Sequence, residues 1–306
     1  MAFPYYADRE SAWLAANLMR GDSTVAALKQ GPLAKLLTRP SLRPLVAQGG
    51  GAVAHRDVIA LAHADRSMGW HGLHPATHIA LENLYTDTWL DFRLSLTHWG
   101  TGPDWRWKQL SRKGGNLVLQ LGFPSDHAAL MGQHLPRDSR KNFECEWHPI
   151  RQDGCPTLAW ARLDVDLSTG TALIEEIQSD WLRLVRWSIA NLARTAPRAR
   201  VLKQKTAYEA RLRARYDKLW PKAMLLATVM LLRQELGCRE IYMHTPRTGT
   251  VLKSIYGTQP PRSLYTTLPR SFCFDLTRDA PAFLSRNRAL CKLARKGEPL
   301  FWRLSI

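Results

Sequence analysis

The chain has 306 residues, 45% of them hydrophobic and 23% charged, with 43 Lys and Arg against 26 Asp and Glu for a net charge of +17. That composition supports one large core or two modest ones and excludes wholesale disorder, while the basic excess favours polyanionic partners. Its longest apolar run, Met224–Leu232 interrupted by Thr228, falls far short of the roughly 20 residues a spanning helix needs, so no membrane span is expected.

Residues 1–20 lack the basic start and continuous apolar stretch of a secretory signal. The cysteines (Cys145, Cys155, Cys238, Cys273 and Cys291) are odd in number and not closely paired, which suits a reducing compartment and places the protein in the cytoplasm. Along the chain, 11–20 and 24–37 read as short helices, Pro40, Pro44 and Gly49–Gly51 as a linker, and 53–66 as another helix. The Trp- and His-rich stretch 69–110 is read as part of a helical N-terminal region, with a helix near 76–90.

From 116 the pattern sharpens. NLVLQLGF reads as a strand, SDHAALMGQHL as a helix capped by Ser125 or Asp126, and NFECEWHPI as a strand. TLAWARLDVDL and TALIEEIQ, joined by Ser168-Thr169-Gly170, form a hairpin. A helix over 180–194 follows, then a basic amphipathic segment, then a long apolar helix with Pro221 in its first turn and Gly237 as its stop. REIYMHT is a strand and GTVLKSIYG a short helix; 264–276 holds one or two strands, 279–297 a capped helix, and PLFWRLSI an edge strand. The fold class expected is α+β: a helical region over 1–110, then a mixed sheet over 111–306 carrying a helical insertion at 181–220.

Two resemblances attach to these motifs. Arg162 on one strand, IEEIQSDW on the next, Trp220, and the Glu235-Leu236-Gly237 turn resemble a domain of the large polyvalent proteins of phages and other mobile elements. That likeness implies a mobile-element or phage-conflict setting. The stretch from Pro221 to Gly257 resembles the second half of an acyltransferase of the GNAT superfamily, with a helix ending in Glu-x-Gly, a strand, and a short helix bearing an apolar–Tyr pair before Gly. This implies acyl-coenzyme A as donor; the family's Gly-rich pyrophosphate loop is replaced here by YDKLWPK, residues 216–222.

In a regular strand Glu176, Gln178 and Asp180 face one way and Glu175 the other. A buried carboxylate needs a cation, a metal or a raised pKa, and Arg162 on the neighbouring strand is the nearest expected partner. Four readings follow. A Glu–Arg pair orients the sheet. Alternatively, one glutamate, Glu176 foremost, is the general base of a group transfer. In a third, Asp164 or Asp166 with Glu176 and Gln178 resembles the PD-(D/E)xK nucleases and holds Mg²⁺. In the last, Gln178, Ser179 and Asp180 cap a helix beneath a non-catalytic basic docking module.

Twelve cations and two anions fall between Arg183 and Lys222, a concentration suited to nucleic acid or another polyanion. Arg211, Arg215, Lys218 and Lys222 follow one helical face beside a stripe of Tyr208, Leu212, Tyr216 and Leu219, with Arg198 and Arg200 preceding them. Trp89, Trp99, Trp105 and Trp107 are core residues or stacking platforms for unpaired bases. Cys145-x-x-His148 with Cys155 lacks the repeated close pair of a zinc site, so no metal is assigned there. Arg262 and Arg270 flank a segment that, in a transferase, lines the acceptor groove with Tyr256 or Tyr265. The reading reached is a nucleic-acid-associated group-transfer enzyme with Glu176 as base; the alternatives are the Mg²⁺ nuclease and the binding module.

Overall fold

A computed structural model describes residues 12, 15, 16, 18–39, 42–67, 78–83, 88–100, 109–136, 143–145, 147, 148, 150, 156–195, 199–255, 261–297 and 300–305. A two-stranded ladder pairs β1 (Ser23–Thr24) with β2 (Ala52–Val53). Around it lie the helices α1 (Val25–Gln30), α2 (Ala34–Leu37), α3 (Arg43–Gln48) and α4 (His55–Ser67). Thr24 caps α1 by accepting from the Ala27 N–H at 3.1 Å.

The main sheet has eight strands: β3 (His78–Asn83), β4 (Thr88–Trp99), β5 (Asn116–Gly122), β6 (Thr157–Asp166), β7 (Thr171–Gln178), β8 (Glu240–His244), β9 (Asp275–Thr277) and β10 (Phe301–Ser305). Their spatial order is β3-β4-β5-β6-β7-β8-β10-β9. The pairings from β3 to β7 are antiparallel, β7 with β8 is parallel, and β10 is antiparallel to both β8 and β9. Meander, helix and parallel strand thus follow one another as expected, and the α+β class holds.

Between β7 and β8 the chain makes the required crossover through α6 (Asp180–Thr195), α7 (Ala199–Leu212), a π-helical turn (Arg213–Asp217) and α8 (Trp220–Met230), which runs into a second π turn (Leu231–Glu235). Pro221 sits at the start of α8, and Gly237 ends it with φ +68°, a left-handed conformation open to glycine. The remaining helices are α5 (His127–His134), α9 (Pro246–Leu252), α10 (Thr267–Ser271) and α11 (Arg288–Ala294).

One face of the sheet is covered by the N-terminal helices together with α6, α7 and α8. Leu36, Leu42 and Val58 share a core with Ile174, Ile177, Trp181, Tyr208, Met224 and Leu231. The opposite face carries two smaller clusters. Leu173, Tyr242, Leu252, Leu290 and Phe301 form one under α9 and α11; Trp99, Val118 and Trp160 form the other. The acidic strand lies between these two clusters, so its polar groups sit in the gap of an otherwise apolar layer.

Several expectations are corrected. The stretch expected as a helix near 76–90 contributes β3 and part of β4, so the sheet begins before residue 111. The described residues of 142–150 form turns instead of a strand. Residues 264–276 are mainly a 3-10 turn (Arg262–Tyr265) and α10, with only β9 extended. The final strand is no edge: β10 lies between β8 and β9. The single basic helix from Arg211 to Lys222 is broken by the π turn, which changes the residue spacing along the face. Asp126 stands at the N-cap of α5 without a capping bond, and its carboxylate takes Arg215 at 2.6 Å instead.

Candidate functional site

The register between β6 and β7 pairs Arg162 with Glu176 but Leu163 with Ile174, leaving Glu175 as an extra residue in β7. This β-bulge corrects the alternation expected from the sequence: Ile174 and Ile177 both enter the main core, and both glutamates turn to the opposite face. The I-E-E-I spelling follows from that geometry, since two apolar residues three apart can share a face of a strand only if one residue is inserted.

The parallel pairing of β7 with β8 stops at Ile174 and Met243. Beyond it the strands part, and side chains take over the exposed backbone groups. The Ile177 N–H donates to the Tyr265 hydroxyl at 3.2 Å, and Lys253 Nζ donates to the Glu175 carbonyl at 2.8 Å. Tyr265 is therefore a backbone partner, and burial raises its phenol above the usual range. Tyr256 lies outside the described residues.

Glu176 accepts from Arg162 NH2 at 2.6 Å, and Lys253 Nζ stands 3.6 Å away. Arg162 also donates to the Gln109 carbonyl at 2.8 Å and places its guanidinium 5.6 Å from the Trp99 ring. Burial alone would raise the Glu176 pKa, but Lys253 and Arg162 hold it below the usual carboxylate range. Burial lowers that of Lys253, opposed by both glutamates. Two buried anions thus face two buried cations, which explains why a strongly basic chain concentrates carboxylates here.

Glu175 is sealed. Its carboxylate accepts from the Ser111 N–H at 3.0 Å and the Ser111 hydroxyl at 2.8 Å, with His244 Nε2 at 3.1 Å. Burial holds His244 neutral, and an imidazole carrying its proton on Nε2 completes the carboxylate's shell. Ser111 and the glutamate both meet the same ring nitrogen, with Ser111 Oγ 3.0 Å from His244 Nε2. The three side chains therefore close on themselves and do not form a relay.

Asp180 opens α6, but its carboxylate is engaged by side chains: His148 Nδ1 at 2.7 Å, Trp160 Nε1 at 2.8 Å and Arg183 NH2 at 2.7 Å, with Gln178 beside them. Burial lowers the pKa of His148, yet the bonds from Asp180 and Cys145 bring it up to about 9. Among the described residues, Cys145, His148 and Asp180 are the one group of three whose ligand atoms lie within 4.8 Å of one another.

A cleft of about 600 Å³ opens where β7 and β8 part. It is lined by Glu176 and Gln178, by His148, by Arg183 and Arg186 on α6, and by Ser263 and Leu264. Arg162, Glu176, Gln178 and Asp180 are thus gathered as expected, whereas Glu175 is shut off. The metal-ligand set of the nuclease reading is not gathered. Asp164 is bound twice by Arg112, both bonds 2.7 Å, and Asp166 takes Ser168 in the hairpin turn. Burial drives the Asp164 carboxyl up to about 6 even against Arg112.

Of the basic residues, Arg200, Arg211, Lys218 and Lys222 are exposed, Arg215 is half-buried against Asp126, and Arg198 lies outside the described residues. Tyr208, Leu212, Tyr216 and Leu219 are buried as expected. Trp99 packs beneath Arg162; Trp105 and Trp107 lie outside the described residues, as does the Trp89 side chain. The sequence reading missed Trp187, which is 63% exposed on α6. With Arg183, Ala190 and Arg194 at spacings of four, three and four, it follows one exposed helix face. It also missed Lys253, His244 and Ser111. The sole cation in the apolar GTVLKSIYG stretch was the available signal for the first of these. No protein-family model matches the chain, and no match is found among curated proteins or solved structures.

Proposed function

We propose that the protein docks a single-stranded nucleic acid on the outer face of α6 and presents it to the cleft at the end of β7. One observation carries this reading: Arg183 and Arg186 line the cleft while Trp187, the next residue, leaves most of its surface to solvent. A cationic groove interleaved with an aromatic platform binds backbone phosphate and stacks a base in a sequence-tolerant way. Arg186 is held by Glu209 at 3.1 Å and Asp217 at 2.9 Å, so it shapes the wall; Arg183 meets Asp180 at 2.7 Å with its side chain 56% exposed, and the exposed Arg194 adds charge further along the helix.

Group transfer is the chemistry this cleft accommodates best. Glu176 is the acidic strand carboxylate that reaches the cleft, and its two cationic neighbours keep it ionised. Such a carboxylate, already met by two cations, is a poor proton acceptor, so its part is to hold Arg162 and Lys253 in place beside the cleft instead of general base catalysis. The Gly-rich loop of the acyltransferase resemblance is replaced by helix and π turn, and Lys253 and Tyr265 hold the parting strands. Acyl-coenzyme A is therefore a weaker donor candidate than a nucleic-acid-borne group. The phage or mobile-element setting is the context that the IEEIQSDW block implies.

The docking reading is tested with a fluorescently labelled single-stranded oligonucleotide followed by anisotropy at two salt concentrations. Trp187→Ala should weaken binding by roughly 5- to 150-fold, the equivalent of the ~1–3 kcal/mol that one stacked base contributes. Arg183→Ala should lower the salt slope by about 0.7. Binding that is absent at low salt, or identical in wild type and both variants, would overturn the reading.

A further inference from the structure

We infer that Cys145, His148 and Asp180 form a zinc site beside the cleft. The three ligand atoms lie within 4.8 Å of one another although they come from separate places, a turn at 145–148 and the first residue of α6. The turn is closed by the His148 N–H donating to the Cys145 carbonyl at 3.0 Å, which brings the Cys-x-x-His pair together. Asp180 then meets His148 Nδ1 at 2.7 Å.

Ligands bonded at about 2.0–2.3 Å to a tetrahedral zinc stand roughly 3.3–3.8 Å from each other. The His148–Asp180 separation need therefore widen by only about 1 Å, and Cys145 Sγ, within 4.8 Å of both, need approach by about 1 Å at most. A thiolate, an imidazole and a carboxylate together favour Zn²⁺ over Mg²⁺ or Ca²⁺, which prefer all-oxygen sets.

The surroundings are those of a built site. Trp160 Nε1 donates to Asp180 Oδ2 at 2.8 Å and Arg183 to Oδ1 at 2.7 Å, fixing the carboxylate from behind. The His148 ring is held edge-on against Trp160 with centroids 5.5 Å apart. Three protein ligands leave one position for water or substrate, the arrangement of catalytic rather than structural zinc. Of the three ligands His148 lines the cleft, so the site adjoins it. An ion held by these three residues would supply Lewis-acid chemistry beside the cleft.

The test uses the full chain without nucleic acid, so its outcome is separate from that of the docking reading. Protein loaded with Zn²⁺ and then dialysed against metal-free buffer is assayed for zinc by mass spectrometry. About one zinc per chain is expected in wild type, and its loss in Cys145→Ser and His148→Ala. Replacement by Co²⁺ should give a thiolate charge-transfer band that disappears in Cys145→Ser. Far-UV circular dichroism confirms that each variant is folded; Cys145 is only partly buried, so its serine variant secures the test should His148→Ala misfold. Wild type retaining no zinc, or a folded Cys145→Ser retaining as much zinc as wild type and the same cobalt spectrum, would overturn the inference.

Discussion

Replacing Arg162 by Met removes the cation that Glu176 meets at 2.6 Å and leaves the carboxylate only Lys253, at 3.6 Å. The Gln109 carbonyl also loses its donor. Both partners are deeply buried, with side-chain exposures of 1% for Arg162 and 11% for Glu176, so solvent screening does little to relieve the loss. Breaking a buried pair from one side costs about 3–5 kcal/mol, because the surviving charge stays buried. Glu176→Gln is gentler. Its amide oxygen still accepts from Arg162, but that guanidinium, 1% exposed, stays charged without its anion, so the loss is about 2–3 kcal/mol. The double variant should therefore be less destabilised than the sum of the singles by about 1–3 kcal/mol. Urea unfolding of the four proteins, followed by circular dichroism, measures that coupling. A Glu176→Gln protein within about 0.5 kcal/mol of wild type, with coupling below about 0.3 kcal/mol, would refute the claim that the pair is locked. Glu176 would then be free to act as a base.

Lys253→Met should destabilise the protein by about 2–4 kcal/mol, since it removes the donor to the Glu175 carbonyl and one of the cations beside Glu176; a change under ~1 kcal/mol in urea unfolding would show that water replaces the ammonium. Burial lowers the pKa of His127 to about 3, so its folded-state neutrality contributes stability above the ordinary pKa of 6.5 that is lost as pH falls from there toward 3. The stability difference between wild type and His127→Phe, whose ring would lie on Phe123 as the imidazole does at 3.5 Å, should therefore shift by about 1.4 kcal/mol per pH unit between 6 and 4; a difference independent of pH would contradict the assignment.

Much of the sheet is legible because its strands are spelled by period and punctuation. β5, β6 and β7 follow apolar runs bounded by turn residues, and Gly170 with φ +64° turns the hairpin where Ser-Thr-Gly announced it. The Arg162–Glu176 pair is legible for a different reason: a buried acid in a strand demands a neighbour of opposite charge. The bulge was harder to see, because alternation is a local rule and register is decided across strands. Only the pairing of Leu163 with Ile174 shows that Glu175 is extra. The segment 264–276 was misread because its apolar residues fit either period. Its choice of helix is made by Leu264, Leu268 and Phe274 packing into the main core. Likewise, the π turn at Arg213–Asp217 shows no local signal and shifts the basic residues off a common face. Trp187 escaped notice because an aromatic in an amphipathic helix is expected to be inside, and only its exposure in the structure sets it apart.

Hydroxyl-radical footprinting of the protein, free and saturated with a single-stranded oligonucleotide, tests the central claim most directly. The account predicts that oxidation of the exposed Trp187 falls several-fold on binding, while the exposed Leu276 on β9 is unchanged. Protection confined to other surfaces, with Trp187 oxidised at the same rate in both states, would contradict it.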